Sequence, residues 1–179
     1  MSDVLTVRRE TLARVMEIVA AFGSGRSLDD ILELIAQAVV DVIGFEAVAI
    51  NVRRRDGDLE VRTVVGPAEL EELRGGAMSH AKWLELLDTG VAWGRMRFLR
   101  HPNLDATVPH VDPRPERLVR ADPAAADIGV EPWRPEFALL VPMWRSAAEL
   151  VGVISVDLPR SGLTPDADQR SLLGLPLIT

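Results

Sequence analysis

The residues of this 179-residue chain with which chemistry could begin are three histidines, a strand serine and four tryptophans. His80 stands at the start of a helical pattern, and His101 and His110 lie in a proline-rich stretch near Asp105 and Asp112. A structural zinc site takes Cys and His ligands at set spacings. These histidines follow no such spacing and the chain has no cysteine, so no metal site is expected. They read as solvated loop side chains; one could serve as an axial haem ligand, but nothing specifies a haem. Nucleophilic catalysis needs an activated Ser, Thr or Cys beside a base. No G-x-S-x-G occurs, and Ser155 falls mid-strand, where a small residue that allows close packing is the simpler account. P-loop and G-x-G-x-x-G patterns are also missing, since Gly75-Gly76 alone marks a turn. With no catalytic set, the chain is not expected to be an enzyme.

Aromatic placement carries more information. Aromatics make up only 4% of the chain, with four Trp and no Tyr, so each is worth locating. Trp83, Trp93 and Phe98 precede a long proline-rich segment and Trp133 lies towards its end. An indole has an N–H that needs a partner, which suits it to a pocket wall with one wet side. These four residues are the candidate ligand-binding set, against the plainer alternative that each fills core volume. Arg95 or Arg97 on the same strand could meet an anionic ligand, or could be a solvated edge charge.

The elements that must position these residues centre on Phe137–Pro159. Two apolar runs, Phe137–Trp144 and Leu150–Asp157, flank the polar link Arg145–Glu149. Their length and Val/Ile/Leu content favour strands, and the short link makes them an antiparallel hairpin. Both runs are apolar on both faces, which places the pair in a sheet interior. Pro142 should lie at a bulge or beside an unpaired edge position, and Gly152 where another element approaches closely.

Upstream, residues 3–22 read as a helix in which Leu5, Arg8, Leu12, Val15, Val19 and Phe22 follow coiled-coil spacing. That stripe is either a dimer seam or a face packed on its own domain. Gly23-Ser24-Gly25 breaks it, so residues 1–25 form an N-terminal helix and linker and residues 26–179 the domain. Ser27 is a plausible N-cap for a helix with an apolar stripe from Leu28 to Val42, stopped at Gly44. Phe45–Arg53 and Leu59–Val65 form a hairpin about Asp56-Gly57, and Arg53–Arg55 read as its solvated end. Ala68–Arg74 and a helix capped by Ser79 follow, the latter with Trp83, Leu84, Leu86 and Leu87 on or near its buried face. Val91–Leu99 reads as a single strand. Seven prolines and little periodicity mark residues 100–135 as a functional or mobile loop. Thr164 caps a last helix, with Pro165 in its first position and Asp166 and Asp168 favouring its N-terminus.

The order of these segments resembles a GAF domain, a sensory module of bacterial signalling proteins. The resemblance rests on Leu140–Pro142, a polar turn, Gly152–Val156 and the T-P-D-x-D start at Thr164, with Ser27–Gly44 and Phe45–Val52 upstream. Trp83–Leu87, Trp93-Gly94-x-x-Arg97-Phe98 and Trp133-x-Pro135 are similar to a branch common in actinobacterial regulators. It covers about residues 26–175 and implies an α+β, GAF/PAS-like fold: a central antiparallel sheet of five or six strands with helices on both faces. It also implies a regulatory module that binds a small molecule under the 100–135 segment and relays the signal through terminal helices to a partner or output domain. The alternative is a ligand-free dimerisation or interaction module. The family's methionine sulfoxide reductases work through cysteines, which this chain lacks. Bilin-binding relatives carry Asp-Ile-Pro where this chain has Asp127-Ile128-Gly129, and the cyclic-nucleotide motif is absent. The ligand's identity is not legible. The chain is expected to be either a free-standing module or a fragment of a longer protein.

Composition agrees with a cytoplasmic globular domain. A net charge of −7 argues against nucleic acid and anionic membrane surfaces as partners. No apolar run reaches the length of a membrane span.

The N-terminal stripe generates the first test. A homodimer is expected whose interface includes Leu5, Leu12, Val15, Val19 and Phe22, because soluble monomers rarely expose a contiguous apolar patch. Replacing Leu12 and Val19 by Glu should give a folded monomer by light scattering. A wild-type protein that runs as a monomer at micromolar concentration would defeat the expectation.

Overall fold

A computed structural model describes residues 25–100, 131–146, 148–167 and 169–170. The N-terminal stripe, His101, His110 and most of the proline-rich loop lie outside them. Helix α1 spans Leu28–Ala38 and opens on the expected cap: the Asp30 amide donates to Ser27 Oγ and the Ser27 amide to Asp30 Oδ2. One π-helical turn, Val39–Ile43, then leads to Gly44. Strands β1 (Phe45–Arg53) and β2 (Leu59–Val65) form the first hairpin. At its end Arg53 pairs with Glu149, and Arg54 with Asp56 and Glu60. A 3-10 helix, Ala68–Leu73, and a two-residue strand β3, Ala77–Met78, precede helix α2, His80–Thr89, capped by Ser79.

The expected single strand Val91–Leu99 is instead a hairpin of β4 (Val91–Trp93) and β5 (Met96–Leu99). Gly94, at φ +60°, turns the chain with Arg95 in a two-residue loop, the kind of turn that glycine permits at no steric cost. Strands β6 (Ala138–Ser146) and β7 (Glu149–Pro159) form the central hairpin, antiparallel as predicted. The sheet order β3-β2-β1-β7-β6-β5-β4 makes seven strands rather than five or six, the extra ones being β3 and the divided β4–β5.

The sheet separates two apolar layers. On one face Val48, Ile50, Leu139, Val141, Ile154 and Val156 pack against Ile31, Leu32, Ile35 and Val39 of α1 and its π turn. On the other, Leu140, Leu150 and Val153 meet Trp83 and Leu87 of α2, while Ala47, Ala49, Val61 and Val64 meet Leu70. Helices therefore cover both faces, as the α+β pattern requires. Among the described residues no helix is long and apolar enough to cross a membrane.

Pro142 pairs with Val153 beyond the stretch of β6 that β5 covers, beside an unpaired edge position. Gly152 lies where its neighbours approach closely. A Cβ there would lie 2.6 Å from the Asn51 carbonyl oxygen and 2.3 Å from Met143 Cε. Met143 could swing away, but the β1 backbone could not. Gly152→Ala is therefore expected to destabilise the fold by about 1–3 kcal/mol, the usual cost of overpacking. Urea unfolding would measure it, and an unchanged midpoint would mean that β1 yields freely.

Candidate functional site

Three of the four predicted aromatic residues converge. Trp93 stacks on Phe98 with ring centres 4.2 Å apart and planes 13° from parallel. Phe98 meets Phe137 edge-on at 5.1 Å, Phe137 meets Trp133 at 5.8 Å, and Trp133 meets Phe45 at 6.1 Å. The β4–β5 reversal makes this possible, because Trp93 pairs across the hairpin with Met96 and so shares a face with Phe98. Trp133 is placed by backbone bonds between its own segment and the one after β7. Its amide donates to the Gly162 carbonyl, and Glu131 exchanges bonds with Thr164 through both backbone and hydroxyl. Thr164 is therefore committed to that contact and does not cap the last helix. Asp166 does so instead, accepting from the Gln169 amide while Gln169 Oε1 accepts from the Asp166 amide.

The cluster is tied to its surroundings by charge. Arg100 pairs with Glu131 and lays its guanidinium over Phe98 and Phe137, 5.5 and 5.8 Å from their centres. Arg170, in the first turn of the last helix, sits 4.9 Å over Trp93, and Gln169 donates to the Ile43 carbonyl. These aromatic rings fill their own space: Phe98, Trp133 and Phe137 are buried and Trp93 half-buried.

Trp83 does not join them. It is fully buried on the opposite face of the sheet with Leu87, Leu99, Leu140 and Val153. Among the described residues its Nε1 has no hydrogen-bond partner, and neither has Ser155 Oγ on the same face or His80 Nε2 one turn earlier on α2. Ser155, Leu140 and Arg97 are directly opposed on β7, β6 and β5, so they form one row across this face. Beside that row, between α2 and the edge hairpin, runs a groove of about 620 Å³ lined by Leu84, Leu87, Arg97, Pro142 and Trp144 among others. Leu84 was expected on the buried face of α2 and instead stands in this groove, 37% exposed. Among the described residues no cluster of His, Asp and Glu could hold a metal ion.

Sequence reasoning passed over Asp157 and treated Ser155 only as a packing residue. Asp157 is buried, its Oδ1 accepting from Trp133 Nε1 and from the Leu158 amide at 2.7 Å each. Leu158 holds a left-handed φ of +54°, which costs a non-glycine residue energy. Burial pushes the Asp157 carboxyl up to about 7, and the two N–H donors only partly counter it. Its signal in the sequence was a charge inside a two-sided apolar run.

The raised carboxyl predicts a pH profile. Between its ordinary value of 3.8 and about 7, the folded chain keeps a proton that the unfolded chain has released. Stability should therefore fall as pH rises through that window, by up to about 1.4 kcal/mol per unit, and level off above it. Asp157→Asn keeps an oxygen for both donors but cannot ionise. Urea midpoints at pH 5, 6, 7 and 8 should fall in the wild type relative to the variant. Parallel profiles would show that Asp157 does not titrate in this range.

No family model matches the chain and no curated protein matches it. Solved structures do. The phycoerythrobilin-bound GAF domain of a cyanobacterial phytochrome aligns with 93% of this chain and 90% of its own at 16% identity, with a TM-score of 0.57. The GAF domain of a phosphoenolpyruvate-protein phosphotransferase from Coxiella burnetii aligns over 94% and 90% at 14% identity, TM-score 0.56. A segment of a methyl-accepting chemotaxis protein aligns over 92% and 93% at 18% identity, TM-score 0.51. These neighbours do not address the actinobacterial branch. At such identities they speak for architecture alone, and the architecture is consistent across them: this chain has the GAF-domain fold.

Proposed function

We propose that this domain is a regulatory sensory module that binds a small molecule on the α2 face of its sheet and relays the event through its terminal segments. One observation carries the reading. Trp83 Nε1 and Ser155 Oγ are buried on that face without partners among the described residues. A buried polar atom left unpaired costs about 1–3 kcal/mol, and native structures keep such atoms where something else satisfies them. The neighbours support the sensory part, since a phytochrome and a chemotaxis protein carry the same fold. The aromatic cluster supplies a route for relay, because it joins β5 to the first turn of the last helix through Trp93 and Arg170. A change at β5 would bias how that turn packs, and a bound molecule acts only through such a difference between states.

A second reading has its own support. Trp93, Phe98, Trp133 and Phe137 pack on one another and fill the space that a ligand would have occupied among them. A ligand-free dimerisation or interaction module would look like this on that side of the sheet. The two readings part on the α2 face.

Ser155→Ala separates them. If the hydroxyl waits for a ligand, its removal from ligand-free protein should leave stability unchanged or raise it by on the order of 1 kcal/mol. Mass spectrometry of small molecules carried through native purification should find one with the wild type and less of it with the variant. Wild-type protein that carries nothing, together with a variant that is destabilised, would favour the interaction module.

A further inference from the structure

We infer that the groove between α2 and strands β4–β6 binds a small organic monocarboxylate, with Arg97 holding the carboxylate and Trp144 and Leu84 flanking a flat apolar body. This deepens the sensory reading and rests on it. Arg97 is half-buried in the groove lining and pairs with no carboxylate among the described residues. Among the described residues its guanidinium makes one hydrogen bond, from Nη1 to the Met96 carbonyl at 3.0 Å. A guanidinium has five N–H donors in a planar fork that matches a carboxylate. Partly burying such a cation without a counter-charge is costly. Gly90 leaves room for the Arg97 stem, since a Cβ there would lie 2.8 Å from Arg97 Cβ.

The walls define the rest of the molecule. Four large apolar side chains are exposed among the described residues, and two of them, Leu84 and Trp144, line this groove. Exposed apolar residues gathered around one charge mark a binding surface more than scattered ones do. The volume of about 620 Å³ suits a small molecule. Glu85 and Asp88 also line the groove, and the chain carries a net charge of −7. Both oppose a polyanion, so a single negative charge fits better than a phosphate-rich ligand or an anionic membrane.

The test uses the full chain and a defined panel: benzoate, phenylacetate and 2-naphthoate, their neutral amides, and inorganic phosphate. Calorimetry and tryptophan fluorescence should show the aromatic acids binding at least tenfold more tightly than the amides, and phosphate binding no better than the amides. Arg97→Gln should reduce acid binding at least tenfold. Trp144→Ala, at an exposed position that the core does not depend on, should weaken it and remove most of the fluorescence change. Acids and amides that bind equally, or acid binding unaltered by both variants, would overturn the carboxylate assignment. If native purification yields a neutral molecule whose retention responds to Ser155→Ala but not to Arg97→Gln, the carboxylate assignment fails while the sensory reading stands. If no molecule is retained and no acid binds, both fail.

Discussion

Strand β7 has no side that water can reach over most of its length. Every residue from Gly152 to Pro159 is buried, and β1 and β6 flank it on either edge. Burying each Val or Ile side chain is worth roughly 1.5–3 kcal/mol only if something covers it. One helical layer could satisfy one face and leave the other in water. The chain therefore needs α1 on one side and α2 with the 3-10 helix on the other. The rest of the architecture follows from that double demand, including the tight approach of Gly152 to Asn51 that lets β1 and β7 lie side by side.

The two layers are satisfied differently. On the α1 side apolar and aromatic side chains close on themselves, and the buried carboxyl of Asp157 has two donors. On the α2 side a tryptophan and a serine keep polar atoms that no described residue pairs, and an arginine without a carboxylate partner among the described residues stands in an open groove. Proteins rarely leave such atoms unpaired without a use for them, since each lowers a net stability of only a few kcal/mol. The two faces of the sheet thus differ in kind: among the described residues one closes on itself and the other keeps polar atoms unpaired.

Much of the fold was legible because its signals are local and strong. The central hairpin announces itself by two apolar runs about a short polar link, and α1 by a serine followed three residues later by an aspartate. Strand β3 was not legible, since a two-residue pairing has no period to detect. The β4–β5 hairpin was missed because Trp93-Gly94-Arg95-Met96 lacks the Asn-Gly or Asp-Gly pair that most clearly marks a tight turn. That turn reverses the alternation, which is why Trp93 and Phe98, read as opposite in a single strand, stack on each other. Trp83 was grouped with them by proximity in sequence, but it rides on a helix, and only the packing of α2 decides which face it meets. The unpaired atoms are beyond any sequence reading, because a missing partner is a property of the whole neighbourhood.

The pairing of Arg100 with Glu131 has a further meaning for the chain as an evolving object. It fastens the two ends of residues 101–130 side by side, and the Pro132–Leu163 bridge anchors one of those ends to the segment after β7. For an evolving chain this means that the frame which receives the segment is set outside it, by Arg100, Glu131, Pro132 and Leu163.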